Sequence, residues 1–113
     1  MADHIKIRKA AGTWVVRAGG AVIAESTSAL ELSEGSYSPV IYIPKADIAM
    51  AFLEPTDYSS HCPWKGDAHY FSVITKSTTL ENAAWGYAAP KEDVAQIADH
   101  LAFYSDKVTV ERL

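Results

Sequence analysis

The residues best suited to chemistry lie together in SSHCPWKGDAHY, from Ser59 to Tyr70. This stretch holds the chain's one cysteine, Cys62, three residues before Lys65. A thiol becomes a nucleophile when a nearby cation favours the thiolate, and a turn over Pro63 to Gly66 would bring the Lys65 ammonium close to the Cys62 sulfur. One hypothesis is therefore a thiol-dependent enzyme with Cys62 as nucleophile or redox residue and Lys65, or a histidine, as activator. A free cysteine is also commonly a small buried apolar residue, and that alternative stays open.

The same stretch does not predict a metal site. A structural zinc site needs four ligands, usually two spaced pairs, and this chain has a single cysteine. His61 and His69 could join Cys62 on paper, but adjacent residues of an extended chain point to opposite sides. The glycines form neither a phosphate-binding loop nor a dinucleotide fingerprint. We therefore predict no metal and no cofactor.

Aromatic residues suggest a different function, a ligand pocket. Trp85 and Tyr87 are two residues apart on a predicted strand, so they share a face of its sheet. Tyr42 and Tyr70 also fall on predicted strands, and Trp64 falls in the turn. Such rings can line a pocket for a flat or cationic ligand, although they are also ordinary core residues.

Three hypotheses follow for the CPWKG turn. The leading one is a module that binds a small molecule such as a nucleoside, where Lys65 pairs with an anionic or carbonyl group of the ligand and Glu34 or Asp47 with a donor. The alternative is the thiol enzyme based on Cys62. In the third, the turn has a structural role as a determinant of the fold, and Lys65 hydrogen bonds to backbone carbonyls or pairs with an acidic residue.

Composition narrows the class of protein. The 113 residues suit one domain, 1–113, and the contents of 49% hydrophobic and 21% charged residues are typical of globular proteins. No apolar run is long enough to span a membrane or to act as a signal peptide, so we expect a cytoplasmic protein. The net charge of −4 argues against nucleic acid as a partner. The sequence leaves the oligomeric state open, a homo-oligomer included.

The elements that must position these residues are mostly strands. Gly12 and the pair Gly19 and Gly20 separate three β-rich runs and predict an antiparallel meander over 4–26. Further strands are predicted near Leu30, in VIYI, AHYFSVIT and TTLENAAWGYAA, and at DKVTVERL. Short helices are predicted at about 45–53 and 90–102, where a proline precedes apolar residues at helical spacing. We therefore predict a mainly β fold of antiparallel sheets with two short helices.

Four segments of the chain resemble the bacterial and fungal family known as domain of unknown function 427. They are YIPKAD, SSHCPWKGDAHY, AAWGYAAP and IADHLAFYSDKV. The most specific pattern, C-P-[WF]-K-G-x-A-x-Y, is met by Cys62, Pro63, Trp64, Lys65, Gly66, Ala68 and Tyr70. The family pattern also covers Glu34, Tyr42, Pro44, Asp47, Trp85, Tyr87, Pro90 and Phe103.

The resemblance implies a small β domain with an Mss4-like or β-tent-like arrangement, in which two sheets meet at an angle. Many proteins of that fold hold zinc with paired C-x-x-C knuckles, which this chain lacks. Core packing would then have to hold the sheets together. The resemblance implies no established activity.

Overall fold

The structure, a computed structural model, describes residues 4–113 and is built mainly of strands. Its strands β1 to β10 are, in order, Ile5–Lys9, Trp14–Ala18, Ala21–Ser26, Leu30–Glu34, Val40–Pro44, Leu53–Cys62, Gly66–Ile74, Thr79–Gly86, His100–Phe103 and Thr109–Arg112. Three 3-10 segments lie between strands, at Lys45–Asp47, Met50–Phe52 and Glu92–Ile97. In the range 4–113, no helix has the length and apolar character needed to cross a membrane.

The strands form two antiparallel sheets. The large sheet has seven strands in the order β1-β4-β5-β9-β8-β7-β6, and the small sheet has three in the order β10-β2-β3. The mainly β, antiparallel fold predicted from the sequence is confirmed. The finer Mss4-like or β-tent-like arrangement stays a prediction.

The predicted meander over 4–26 is partly wrong. The hairpin of β2 and β3 exists, and its turn glycines Gly19 and Gly20 both have positive φ. However, β1 pairs with β4, where Ile5 faces Glu34, and β2 pairs with β10. The segment around Gly12 therefore carries the chain from the large sheet to the small one and does not form a hairpin.

The two predicted helices are replaced by 3-10 turns. Residues 45–53 form two turns of three residues each, and residues 90–102 form one 3-10 segment followed by β9. Val94 and Ile97 are both buried, and Val94, with φ −126 and ψ 25, forms a kink between two 3-10 turns in this segment. Asp99 then has a φ of +60, and Leu101 pairs with Ile43 in the sheet. Residues 90–102, whose apolar spacing predicts one helix, thus form 3-10 turns followed by a strand.

Each face of the large sheet has its own apolar core. On one face Ile43, Leu101 and Phe103 pack against the small sheet, which contributes Val16 and Ile23. The other face carries a second cluster whose buried members are Ile5, Leu32, Tyr42, Ala68, Tyr70, Tyr87, Val94, Ile97 and Ala102. The residues that the sequence marks for function lie mostly on or beside this second face.

Candidate functional site

The CPWKG stretch is a tight turn between β6 and β7. Cys62 pairs with Gly66 at the end of the hairpin, and the backbone N–H of Lys65 donates to the carbonyl of Cys62 at 3.3 Å. Gly66 has a φ of +112, which L side chains rarely adopt, and a Cβ there would lie 3.4 Å from the carbonyl oxygen of Ala89. The predicted turn from Pro63 to Gly66 is confirmed.

The side chain of Lys65 points inward from this turn and meets Glu34 of β4. Its Nζ lies 2.7 Å from Glu34 Oε1, and the residue is only 8% exposed. Glu34 Oε2 lies 3.5 Å from Nε2 of His4, and the carbonyl of Lys65 accepts the N–H of Lys91 at 2.9 Å. Lys65 therefore joins the turn to β4 and to the segment after β8, and Glu34 also contacts His4, which precedes β1.

Cys62 and Trp64 flank Lys65 but differ in their surroundings. Cys62 is half-buried and packs against the second apolar cluster, close to Tyr42 and Tyr87. Trp64 is 41% exposed, and its ring meets that of His4 edge-on at 4.8 Å. The Lys65 ammonium, predicted from the sequence to activate the Cys62 thiol, forms an ion pair with the Glu34 carboxylate. The roles of Cys62 as nucleophile and Lys65 as activator stay predictions.

Tyr42, Trp85 and Tyr87 come together on the second face. Trp85 hydrogen bonds to the hydroxyl of Tyr42, which is 1% exposed. Burial raises the pKa of Tyr42 above its usual range, and burial likewise raises the pKa of the Tyr87 phenol. The hydroxyls of these two residues stay protonated in the folded protein at neutral pH.

Tyr70 connects the second face to the open edge of the sheet. It is directly opposite Trp85 in the ladder, and its hydroxyl lies 2.8 Å from Ser60 Oγ. The ring of Tyr58 packs edge-on against it at 4.7 Å. Tyr104 also hydrogen bonds to Tyr70, and burial, followed by this bond, raises the pKa of Tyr104 to about 12.

Asp47, another predicted ligand contact, has a local partner. Its Oδ2 accepts the Ser26 hydroxyl at 2.6 Å, and Ser26 Oγ in turn accepts the N–H of Ser28 at 2.9 Å. These bonds fix the bend after β3 to the 3-10 turn that follows β5. The structure thus brings Tyr42, Tyr70, Trp85 and Tyr87 together and places Asp47 in a separate hydrogen-bonded contact.

A cleft of about 480 Å³ rich in aromatic residues lies where the two sheets meet, at the end of β9. Trp85 contributes one wall, and the small sheet contributes Trp14. The other lining residues are Glu31, Ser38, Pro39, Val40, Ile41, Phe103, Tyr104, Ser105 and Val110. Among these, sequence reasoning identified only Trp85 as a site residue, because the walls come from strands distant in sequence.

One charged group lies in this cleft. The carboxylate of Glu31 accepts a hydrogen bond of 2.7 Å from Nε of Arg8, whose side chain is 75% exposed. A second cleft of about 500 Å³, near Gly12, is lined by Lys9, Ala11, Gly12, Thr13 and Thr27 and has no aromatic wall. In the described part of the chain, no group of three or more His, Cys, Asp or Glu side chains is arranged to hold a metal ion.

Comparison with known proteins places the chain in a family. A family model described as a domain of unknown function, DUF427, matches residues 6–113. Among curated proteins, none matches the chain. The match covers the turn with Cys62 and Lys65 as well as both walls of the aromatic cleft, and it confirms the resemblance seen in the sequence. The chain belongs to the DUF427 family.

Proposed function

We propose that this protein is a small-molecule binding module whose ligand lies in the cleft between Trp14 and Trp85. The observation that carries the proposal is that two tryptophans, one from each sheet, line the same cleft. Ligand sites are typically concave, of about 300 to 1,000 Å³, mostly apolar and aromatic, with a few polar groups that fix orientation. A volume of about 480 Å³ with Glu31 and two serines at the wall meets that description.

The lining favours a flat ligand with a hydrogen-bond donor or a cationic group. Indole and phenol rings offer faces for stacking and for cation–π contact. Glu31 offers a carboxylate acceptor, and its present partner, Arg8, is exposed and free to move aside. A nucleoside base or a similar aromatic metabolite combines these features. The sequence alone suggests a ligand site beside the CPWKG turn. The proposed site lies instead in the cleft lined by Trp14 and Trp85.

The chain's three tryptophans allow a direct test. Trp14 and Trp85 line the cleft, whereas Trp64 lies on the turn against His4. In the Trp64→Phe variant, all tryptophan fluorescence therefore comes from the cleft. Nucleosides and aromatic amines, titrated up to millimolar concentration, should change this emission and raise the melting temperature. Trp85→Phe should weaken the same ligand by roughly tenfold, about 1.4 kcal/mol.

Two results would contradict the proposal. One is a panel in which no compound shifts the melting temperature near millimolar concentration. The other is a ligand whose fluorescence response is lost in Trp64→Phe and retained in Trp85→Phe, which would place it at the turn. Glu31→Gln, with the exposed Glu25→Gln as control, then tests the charge preference. Only Glu31→Gln should lower the affinity for a cationic ligand more than the affinity for its neutral analogue.

A further inference from the structure

Two adjoining clefts lie at the opposite end of the large sheet from the aromatic cleft. The smaller, of about 80 Å³, has Lys45, His69, Asp99 and His100 among its lining residues. The larger, of about 290 Å³, includes His61, Asp67 and Lys91. His69 and Ala88 line both clefts, which are together called the histidine groove here. Three of the chain's four histidines line it, although the proposed ligand site does not involve them.

Two of the three imidazoles in this groove have defined hydrogen-bond partners. His100 Nδ1 lies 2.7 Å from the carbonyl oxygen of Ala98 and therefore donates to it, so Nε2 can donate to an anion only when the imidazole is protonated. His61 Nδ1 lies 2.7 Å from Asp67 Oδ1. His69, on the strand between them, is exposed and is directly opposite Gly86 in the ladder.

The floor and the lysine of the smaller cleft are also fixed. A Cβ at Gly86 would come within 2.8 Å of the carbonyl oxygen of His100, so only glycine permits this close approach of β8 and β9. The backbone N–H of Lys45 donates to the carbonyl of Asp99 at 2.9 Å, and its ammonium lies 5.9 Å from the ring centroid of Phe71. Lys45, His69 and His100 come from three separate elements and all line this one small space.

We propose that the histidine groove binds a small organic oxyanion, a phosphate or sulfate ester. The oxyanion would lie between Lys45, His69 and His100, and its organic part would extend along the larger cleft past Lys91. A volume of about 80 Å³ equals that of two to three water molecules at about 30 Å³ each, which suits one tetrahedral oxyanion. Imidazole and ammonium N–H groups are the donors that such an anion needs.

The charge of the groove makes this binding depend on pH. Its two lysines are offset by the carboxylates of Asp67 and Asp99, so the net charge is set by the three imidazoles. Imidazole is the side chain that changes charge between about pH 5 and 8. Protonation of His69 or His100 adds a positive charge beside the anion, and the affinity therefore rises as the pH falls.

Histidine ring signals in nuclear magnetic resonance test the site directly. The probe is phenyl phosphate, titrated at constant pH near neutrality. We expect the ring signals of His69 and His100 to shift saturably and clearly more than those of His4, whose ring packs on Trp64 and lines neither cleft. Lys45→Met should weaken binding by about tenfold, and Lys6→Met, an exposed lysine of β1, should leave it unchanged. If His4 shifts as much as His69, or if the two lysine variants titrate alike, the site is refuted.

The pH dependence needs a second probe, because phenyl phosphate itself changes charge near pH 6. Phenyl sulfate keeps its charge throughout. We expect it to bind several-fold more tightly at about pH 6 than at about pH 8, and we expect His69→Gln to reduce that ratio. His69 is exposed, so circular dichroism should show an unchanged fold in the variant. Equal affinity at both pH values would overturn the role of the imidazoles.

Discussion

The ammonium of Lys65 and the carboxylate of Glu34 form an ion pair of 2.7 Å that joins the CPWKG turn to β4. The side chains are 11% and 23% exposed, so both charges are largely removed from water. Removing one member of a buried pair is costly chiefly because the remaining charge loses its compensation. The fold therefore depends on the two residues together.

Glu34→Ala should destabilise the protein more than Lys65→Met. The first leaves the more deeply buried ammonium unpaired, at a cost of about 3 kcal/mol, whereas the second leaves a more exposed carboxylate that still faces His4. The double variant should lose less than the sum of the single losses. Urea unfolding measures all four free energies, and strict additivity would show that the pair is not coupled.

Alkaline conditions should destabilise the folded state through its buried tyrosines. Burial raises the pKa of Tyr42 and Tyr87 above the value of about 10 in an unfolded chain. At a pH between the unfolded and the folded pKa values, the two phenols are deprotonated in the unfolded chain and protonated in the folded protein. The unfolding free energy is therefore intact below about pH 10 and falls above it, by up to about 1.4 kcal/mol per pH unit and tyrosine.

Tyr87→Phe isolates this effect. Urea unfolding at several pH values between about 9 and 11 should give a shallower loss of stability with pH for Tyr87→Phe than for the unmodified chain. The matched control is Tyr37→Phe, because Tyr37 is 77% exposed. The same slope for both variants would mean that the phenol of Tyr87 does not stay protonated on folding.

Gly86→Ala should be severely destabilising. Its Cβ would lie 2.6 Å from Leu101 Cδ2 and 2.8 Å from the carbonyl oxygen of His100, and a backbone oxygen within a sheet cannot easily move aside. We expect a loss of about 2 to 3 kcal/mol, measured by thermal or urea unfolding. Gly35→Ala provides the comparison: its φ of +56 costs an L side chain about 1 to 2 kcal/mol of backbone strain, but no heavy atom lies within 4 Å of a Cβ built there. A smaller loss at Gly86 than at Gly35 would contradict the close approach of β8 and β9.

Alkylation of Cys62 tests the thiol-enzyme hypothesis. Because the thiol is half-buried and Lys65 pairs with Glu34, we expect iodoacetamide to react more slowly with Cys62 than with free cysteine at the same pH. Mass spectrometry of the intact protein follows the reaction. Faster labelling than free cysteine would support a catalytic thiol, provided that Lys65→Met abolishes the increase.

Local features of the fold could be predicted from the sequence. Gly19 and Gly20 identify the hairpin of β2 and β3, and Pro63 with Gly66 identifies the turn that carries Lys65. Alternation in IKIR separates the buried Ile5 from the exposed Lys6 and Arg8. Each of these features depends on neighbouring residues, whose identities determine turn geometry or which face of a strand is buried.

Pairing between distant strands could not be predicted in this way. No turn links β1 to β4 or β2 to β10, so the pattern around Gly12 resembles that of a hairpin. The site was partly missed for the same reason. Trp14 and Tyr104 lie in different parts of the chain and meet beside Trp85 only when the small sheet packs on the large one. Glu34 was predicted as a ligand contact, but its distance from Lys65 in sequence concealed their pairing.

The pairing of β2 with β10 has a consequence for synthesis of the protein. Val15 and Val16 of β2 emerge early from the ribosome, yet the strand that bonds to their far side, Thr109–Arg112, emerges last among the described elements. Until then β2 has an unpaired edge, and the small sheet has only two strands, too few for independent stability. The small sheet should therefore be completed only after residues 109–112 have been synthesised, and until then the nascent chain should bind chaperones that shield unpaired strand edges.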